Sequence, residues 1–122
     1  MASANKNLSK YDPSMVPNGT SYRICLIVSE WNHEITNRLY IGAQKTLLKH
    51  NVLPENIVKI HVPGSFELIY GASKAQTQNF DAIIVMGCII KGETRHFEFI
   101  ANAVAQGIKD LNVNGKSPVI FC

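Results

Sequence analysis

Little in this sequence would hold it in a bilayer, in an oxidising compartment or on a nucleic acid. Its longest apolar runs, such as Ala82-Ile83-Ile84-Val85-Met86-Gly87-Cys88, fall far short of a membrane span. Residues 1–20 are polar and show no signal-peptide core. A cytoplasmic location is therefore expected, with the sequons Asn7-Leu8-Ser9 and Asn18-Gly19-Thr20 unused. The three cysteines, Cys25, Cys88 and Cys122, are odd in number and form no CxxC pair, so reduced thiols are expected rather than a disulfide framework. Twelve Lys+Arg against nine Asp+Glu leave a net charge of only +3 and no dense basic run, which excludes a protein that tracks phosphate backbones. There is no GxxxxGK[ST] loop, no internal repeat and no low-complexity tract. His33, His50 and His61 show no spacing that would make a metal cluster with His96, so no metal is expected.

What remains is a chain of 122 residues, 46% hydrophobic and 17% charged, the size and balance of one globular domain. Residues 1–20, with Pro13 and Pro17, read as a flexible N-terminal arm ordered by a neighbouring subunit. Residues 21–122 read as the domain. Tyr22–Val28 is a run of β-formers. Trp31-Asn32 follows, with Asn32 as a helix cap, and then Ile35, Leu39, Ala43 and Leu47 recur every four residues to about His50. Ile57–Val62 is a second strand, broken by Pro63-Gly64, and Phe66 to about Gln76 a second helix. Ala82–Cys88 is a third strand. Phe97, Ile100, Val104, Ile108 and Leu111 then take helical spacing, Asn112–Ser117 is a loop, and Pro118–Cys122 starts a fourth strand.

Continuous apolar strands alternating with helices imply a parallel sheet with right-handed crossovers. In such sheets ligands bind beyond the carboxyl ends of the strands. The unusual residues gather there: Trp31-Asn32, Gly64-Ser65-Phe66-Glu67, Gly92-Glu93-Thr94 with His96, and Phe121. No helix follows the last strand to cover that part of the sheet, so a cover from another chain or from a longer protein is expected.

Each residue has a bland reading beside its chemical one. Gly92–His96 opens a helix, whose unpaired N–H groups and positive dipole end suit a single phosphate; the alternative is a capped helix without a ligand. His96 can move protons near neutrality, or be a surface histidine. Trp31 can stack on a flat heterocycle, or pack in a core or an interface. Phe66-Glu67 offers a ring and a carboxylate to a polyol, or a first-turn acid to a helix dipole. Cys88 is a small buried hydrophobe before it is a nucleophile. Lys91 is a solvated lysine before it is a Schiff-base former.

Together these residues resemble the 6,7-dimethyl-8-ribityllumazine synthase family. The resemblance rests on the order of Trp31-Asn32, Gly64-Ser65-Phe66-Glu67, the long block Met86-Gly87-Cys88-Ile89-Ile90-Lys91-Gly92-Glu93-Thr94-Arg95-His96-Phe97, and Pro118-Val119-Ile120-Phe121. It covers about residues 20–122 and implies an α/β three-layer sandwich with a four-stranded parallel sheet flanked by helices, flavodoxin-like and without its C-terminal cover. It also implies a transferase of riboflavin biosynthesis that condenses 5-amino-6-(D-ribitylamino)uracil with 3,4-dihydroxy-2-butanone 4-phosphate, with no cofactor. His96 would transfer protons, and Trp31, beside Asn32, would stack on the pyrimidine. Ser65, Phe66 and Glu67 would hold the ring edge and the ribityl hydroxyls, and the main chain at Cys88, Ile89 and Ile90 would read the uracil edge. Glu93 and Thr94 would cradle the phosphate, and Phe121 would belong to a neighbouring subunit's pocket in a homopentamer or an icosahedral shell of sixty subunits. Family members continue into further helices that carry a phosphate-pairing arginine. Residues 1–122 alone are therefore expected to be unstable or inactive without a complementary C-terminal segment. Two other readings are a shell subunit with an idle site and a doubly wound binder of a flavin-like ligand.

Overall fold

A computed structural model describes residues 10–122. Strands β1 (Ile24–Ser29), β2 (Ile57–Val62), β3 (Ala82–Met86) and β4 (Val119–Phe121) form one parallel sheet in the order β2-β1-β3-β4. Helices α1 (His33–Lys49), α2 (Leu68–Ala75) and α3 (His96–Asn114) make the crossovers. The expected α/β sandwich and its four-stranded parallel sheet are present, and the strand order is that of flavodoxin-like folds. No helix among the described residues is long and apolar enough to cross a membrane.

β1 is buried along its whole length, as a central strand of a parallel sheet must be. Its side chains alternate between two cores. Cys25 and Ile27 join Leu68, Ala72, Ile83, Val85, Val104 and Ile108 on the face covered by α2 and α3. Ile24, Leu26 and Val28 join Met86 and Val52 on the face covered by α1. Burial pushes the Cys25 thiol up to about 11, which leaves it protonated and inert near neutrality. α2 sits close on the sheet because Gly71 has no side chain: a Cβ there would lie 3.1 Å from Val62 Cγ1 and 3.2 Å from Ile27 Cγ2.

The α1 face differs from expectation. The helix turns Thr36, Tyr40, Ala43 and Leu47 towards the sheet side, while Ile35 and Leu39 are exposed. A buried threonine carries the register here, because its hydroxyl donates to Ser29 O at 2.8 Å and so satisfies the end of β1. Among the described residues α1 is the one helix on this side; Ile120 and Cys122 of the β4 end are exposed, and an apolar groove runs beside Leu39, Ala43, Ile84 and Met86.

Of the arm, residues 1–9 lie outside the described residues. From Lys10 the chain runs against the end of α1. Tyr11 Oη is hydrogen-bonded to His50 Nε2 at 2.8 Å, and Gly19 N donates to His50 O at 2.8 Å.

Asn112 lies inside α3, not in the expected loop, and ties that helix to β4. Its amide donates to Ile108 O and Val119 O and accepts from Val119 N, at 3.0, 2.8 and 2.8 Å. It thus serves as a strand partner for Val119 at the sheet edge. Asn112→Ala strands this polar backbone, and a loss of about 1–3 kcal/mol in urea unfolding is expected, with the slope of the transition unchanged.

Candidate functional site

Parallel strands stop at one rim, and the loops that leave them build the site. Beyond β1 the β1–β2 pairing continues for two residues: Glu30 N donates to Val62 O at 2.8 Å and Trp31 N to Pro63 O at 3.0 Å. The buried Ser29 hydroxyl donates to Trp31 O at 3.0 Å. The Trp31 backbone is therefore fixed while its indole stays 72% exposed.

Asn32 stands at the N-cap position of α1, and its carbonyl accepts from Ile35 N and Thr36 N at 2.9 and 3.2 Å. Its side chain does not cap the helix as expected. The backbone is left-handed (φ 59, ψ 44), a conformation Asn tolerates better than most residues, and this turns the amide across to donate to Cys88 O at 2.8 Å.

After β2, Ser65 is buried, and its hydroxyl has no partner among the described residues. It is wedged against Gly87, where a Cβ would lie 2.6 Å from Ser65 Oγ and 2.8 Å from Leu68 Cδ1. Phe66 presents a half-exposed ring. Glu67 is exposed at the N-cap position of α2, which begins two residues later than expected, at Leu68. Its Oε2 lies beside Gly64, where even a Cβ would sit 3.0 Å away.

After β3, Cys88 and Ile89 are half-buried and Ile90 is exposed in a stretch without regular structure. α3 opens at His96, not at Gly92; Arg95 holds its N-cap position and pairs with Glu98 at 3.4 Å.

These ends enclose a cleft of about 450 Å³. Trp31, Asn32, Ser65, Phe66, Glu67, Cys88, Ile89, Ile90 and His96 all line it, with Gly64. Glu93 and Thr94 do not; they are exposed just ahead of α3, near the cleft in sequence but outside its lining. Phe121 is exposed on β4 and also lies outside it. One lining residue was passed over as core: Ile100, four residues after His96 and so on the same face of α3, a spacing that marks it. Among the described residues no three His, Cys, Asp or Glu side chains cluster as a metal would require.

Two aromatic faces, main-chain groups at residues 88–90 of which the Cys88 carbonyl already accepts from Asn32, one carboxylate and one imidazole can hold a planar polar heterocycle with a hydroxylated chain and move protons on it.

The sequence matches the family model described as 6,7-dimethyl-8-ribityllumazine synthase over residues 21–122. It is 56% identical to the 6,7-dimethyl-8-ribityllumazine synthase of Flavobacterium johnsoniae, with 100% of this chain and 65% of that protein covered. It is 54% identical to that of Flavobacterium psychrophilum, at the same coverage, and 52% identical to that of Christiangramia forsetii, of which 74% is covered. The chain thus spans 65% of the length of the two Flavobacterium proteins.

The contact between Ser65 and Gly87 predicts a contrast. Gly87→Ala should cost about 1–3 kcal/mol in urea unfolding, because both neighbours must yield. Gly92→Ala, with nothing within 4 Å of the new Cβ, should stay within about 0.5 kcal/mol of the parent.

Proposed function

The chain belongs to the 6,7-dimethyl-8-ribityllumazine synthase family, matched over residues 21–122, and from that membership we propose that its cleft condenses 5-amino-6-(D-ribitylamino)uracil with 3,4-dihydroxy-2-butanone 4-phosphate. The observation that carries this reading is that Trp31, Glu67 and His96, delivered by the ends of different strands, line one cavity.

In the proposed complex the pyrimidine stacks on Trp31, with Phe66 beside it. Main-chain groups at Cys88, Ile89 and Ile90 meet the uracil edge. Ser65, with its hydroxyl turned inward, contributes through its main chain, and Glu67 accepts hydrogen bonds from ribityl hydroxyls. The butanone phosphate lies with its anion towards Glu93, Thr94 and the start of α3, where N–H groups and the helix dipole favour negative charge. Phe121 serves the cleft of a neighbouring copy.

The 5-amino nitrogen adds to the ketone, and loss of water gives an imine. Phosphate then leaves with its C–O bond electrons, and tautomerisation of the resulting enol supplies a new ketone. The ribitylamino nitrogen closes on that ketone, and a second water departs. Every proton needed moves between nitrogen, carbon and oxygen atoms within reach of one imidazole, which is the role of His96. Holding two substrates together supplies much of the rate.

Copies of the chain are proposed to assemble as a homopentamer, and pentamers as an icosahedral shell. The groove between α2 and α3 shares Phe66 and Glu67 with the cleft, and Tyr70, Phe99 and Val113 are exposed at 67, 64 and 74%. Apolar surface of this extent fits a second copy better than water. The free thiols Cys25, Cys88 and Cys122 fit a reducing, cytoplasmic setting.

His96→Ala is expected to slow lumazine formation about 100-fold at saturating substrates. Particle size by light scattering and quenching of Trp31 by the ribitylated pyrimidine should stay as in the parent chain. Turnover at the parent rate removes His96 from the mechanism. Absent turnover in the parent chain with a complementary C-terminal segment supplied and assembly intact favours a purely structural subunit.

A further inference from the structure

The stretch 88–94 carries the main-chain groups assigned above to the uracil edge; Ile89 packs against the core, yet hydrogen bonds hold the stretch almost nowhere. It has no helical or strand pairing. Just ahead of it Gly87 N donates to Cys122 O at 3.3 Å, and just after it Arg95 O accepts from Glu98 N at 3.1 Å. Between these, among the described residues, the stretch makes one hydrogen bond: Asn32 Nδ2 to Cys88 O, 2.8 Å, partly buried.

The donor has an unusual backbone. Asn32 sits in the left-handed region, where glycine is at no disadvantage and most side chains are. Asn51 and Asn79 also hold that region, so the backbone alone does not set Asn32 apart. Its amide does: it neither caps α1 nor bonds within its own loop, but reaches across to Cys88 O. The bond crosses between the ends of β1 and β3. This is where the strand order reverses, since β1 is followed along the chain by β2 on one side and neighboured by β3 on the other. It therefore spans the crevice that the ligand enters.

We propose that Asn32 is a positioning residue for the pyrimidine half of the cleft: its amide tethers the loop 88–94 to the Trp31 loop and so sets the width of the slot between them. The proposal rests on the function proposed above. Without the tether the loop explores wider separations, and a bound heterocycle must order it again.

The test uses the full chain, the parent and two variants. Asn32→Gly keeps the left-handed backbone and removes the amide. Asn32→Asp keeps the shape and replaces the donor with a carboxylate facing the Cys88 carbonyl. Two readouts are taken. The first is ligand-free: the carbonyl carbon resonance of Cys88 in protein labelled at cysteine should move upfield in Asn32→Gly, while those of Cys25 and Cys122 stay in place. The second uses 5-amino-6-(D-ribitylamino)uracil itself, followed by quenching of Trp31, the single tryptophan of the chain. Its affinity should fall about five- to tenfold in Asn32→Gly and further in Asn32→Asp. In turnover, KM for the pyrimidine should rise by the same factor with kcat within about twofold.

An unmoved Cys88 resonance in folded Asn32→Gly, or parent-like pyrimidine affinity, overturns the role of Asn32 and leaves the proposed reaction standing. If the parent chain gives no response to the pyrimidine, the proposed reaction and this role fall together.

Discussion

The site depends on the pairing of β1 with a parallel strand on each side. Ile24 sits opposite both Ile57 and Ala82, and Val28 opposite both His61 and Met86. Parallel pairing gives the three strands one direction, and the matched registers end them at one level. Everything chemical is then a consequence of which residue comes next. Trp31 follows β1, Ser65 to Glu67 follow β2, and Cys88 to Ile90 follow β3. A one-residue slip of any strand would turn its apolar set to the wrong face, so burial of both faces of β1 protects the rim as well as the core.

Polar groups at the rim cannot use the sheet ladder, and the loops differ in how they answer this. The β1 and β2 loops continue the pairing through Glu30 and Trp31, then add the Ser29 and Thr36 hydroxyls. The β3 loop is paired only at its start, where Gly87 N donates to Cys122 O and the Asn32 amide donates to Cys88 O; among the described residues its later main-chain groups have no hydrogen-bond partner, beside a cleft with room for a polar ligand. A rigid aromatic shelf opposite a loosely held polar edge is the arrangement of a site that reads hydrogen bonds on one side and stacks on the other.

Strand content was legible because buried parallel strands are short apolar runs, and Ile57–Val62 appears with the bounds its sequence implied. The α3 core face was legible too, since Ile100, Val104, Ile108 and Leu111 all pack on the sheet. The α1 face was not. Its sheet side begins with a threonine, and hydrophobic periodicity has no means of ranking a hydroxyl whose partner is a distant carbonyl. The same limit hid Asn112 in an assumed loop and made Asn32 look like a cap: an amide's role depends on the carbonyl across from it. The site residues grouped as the strand-end rule implied, but Glu93, Thr94 and Phe121 stand outside the cleft. Strand ends place a loop's first residues closely and its later ones hardly at all.

The two faces of the sheet also differ in a way that bears on the cleft. α2 and α3 pack on one side, and their first turns supply Glu67 and His96 to the site. Among the described residues α1 lies alone on the other, and beyond it they leave the groove beside Ile84 and Met86 open. Cys122 borders that groove, and its main chain pairs with Val85 on β3 and with Gly87 just after it. Gly87 in turn is the residue against which Ser65 is wedged. A cover on the groove would bear on Cys122, and through Cys122 and Gly87 on Ser65, which lines the cleft. The unpartnered Ser65 hydroxyl sits at the end of that chain of contacts, where a small shift of Gly87 would change its surroundings most. The open groove and the cleft are thus joined by packing, through Cys122 and Gly87 to Ser65.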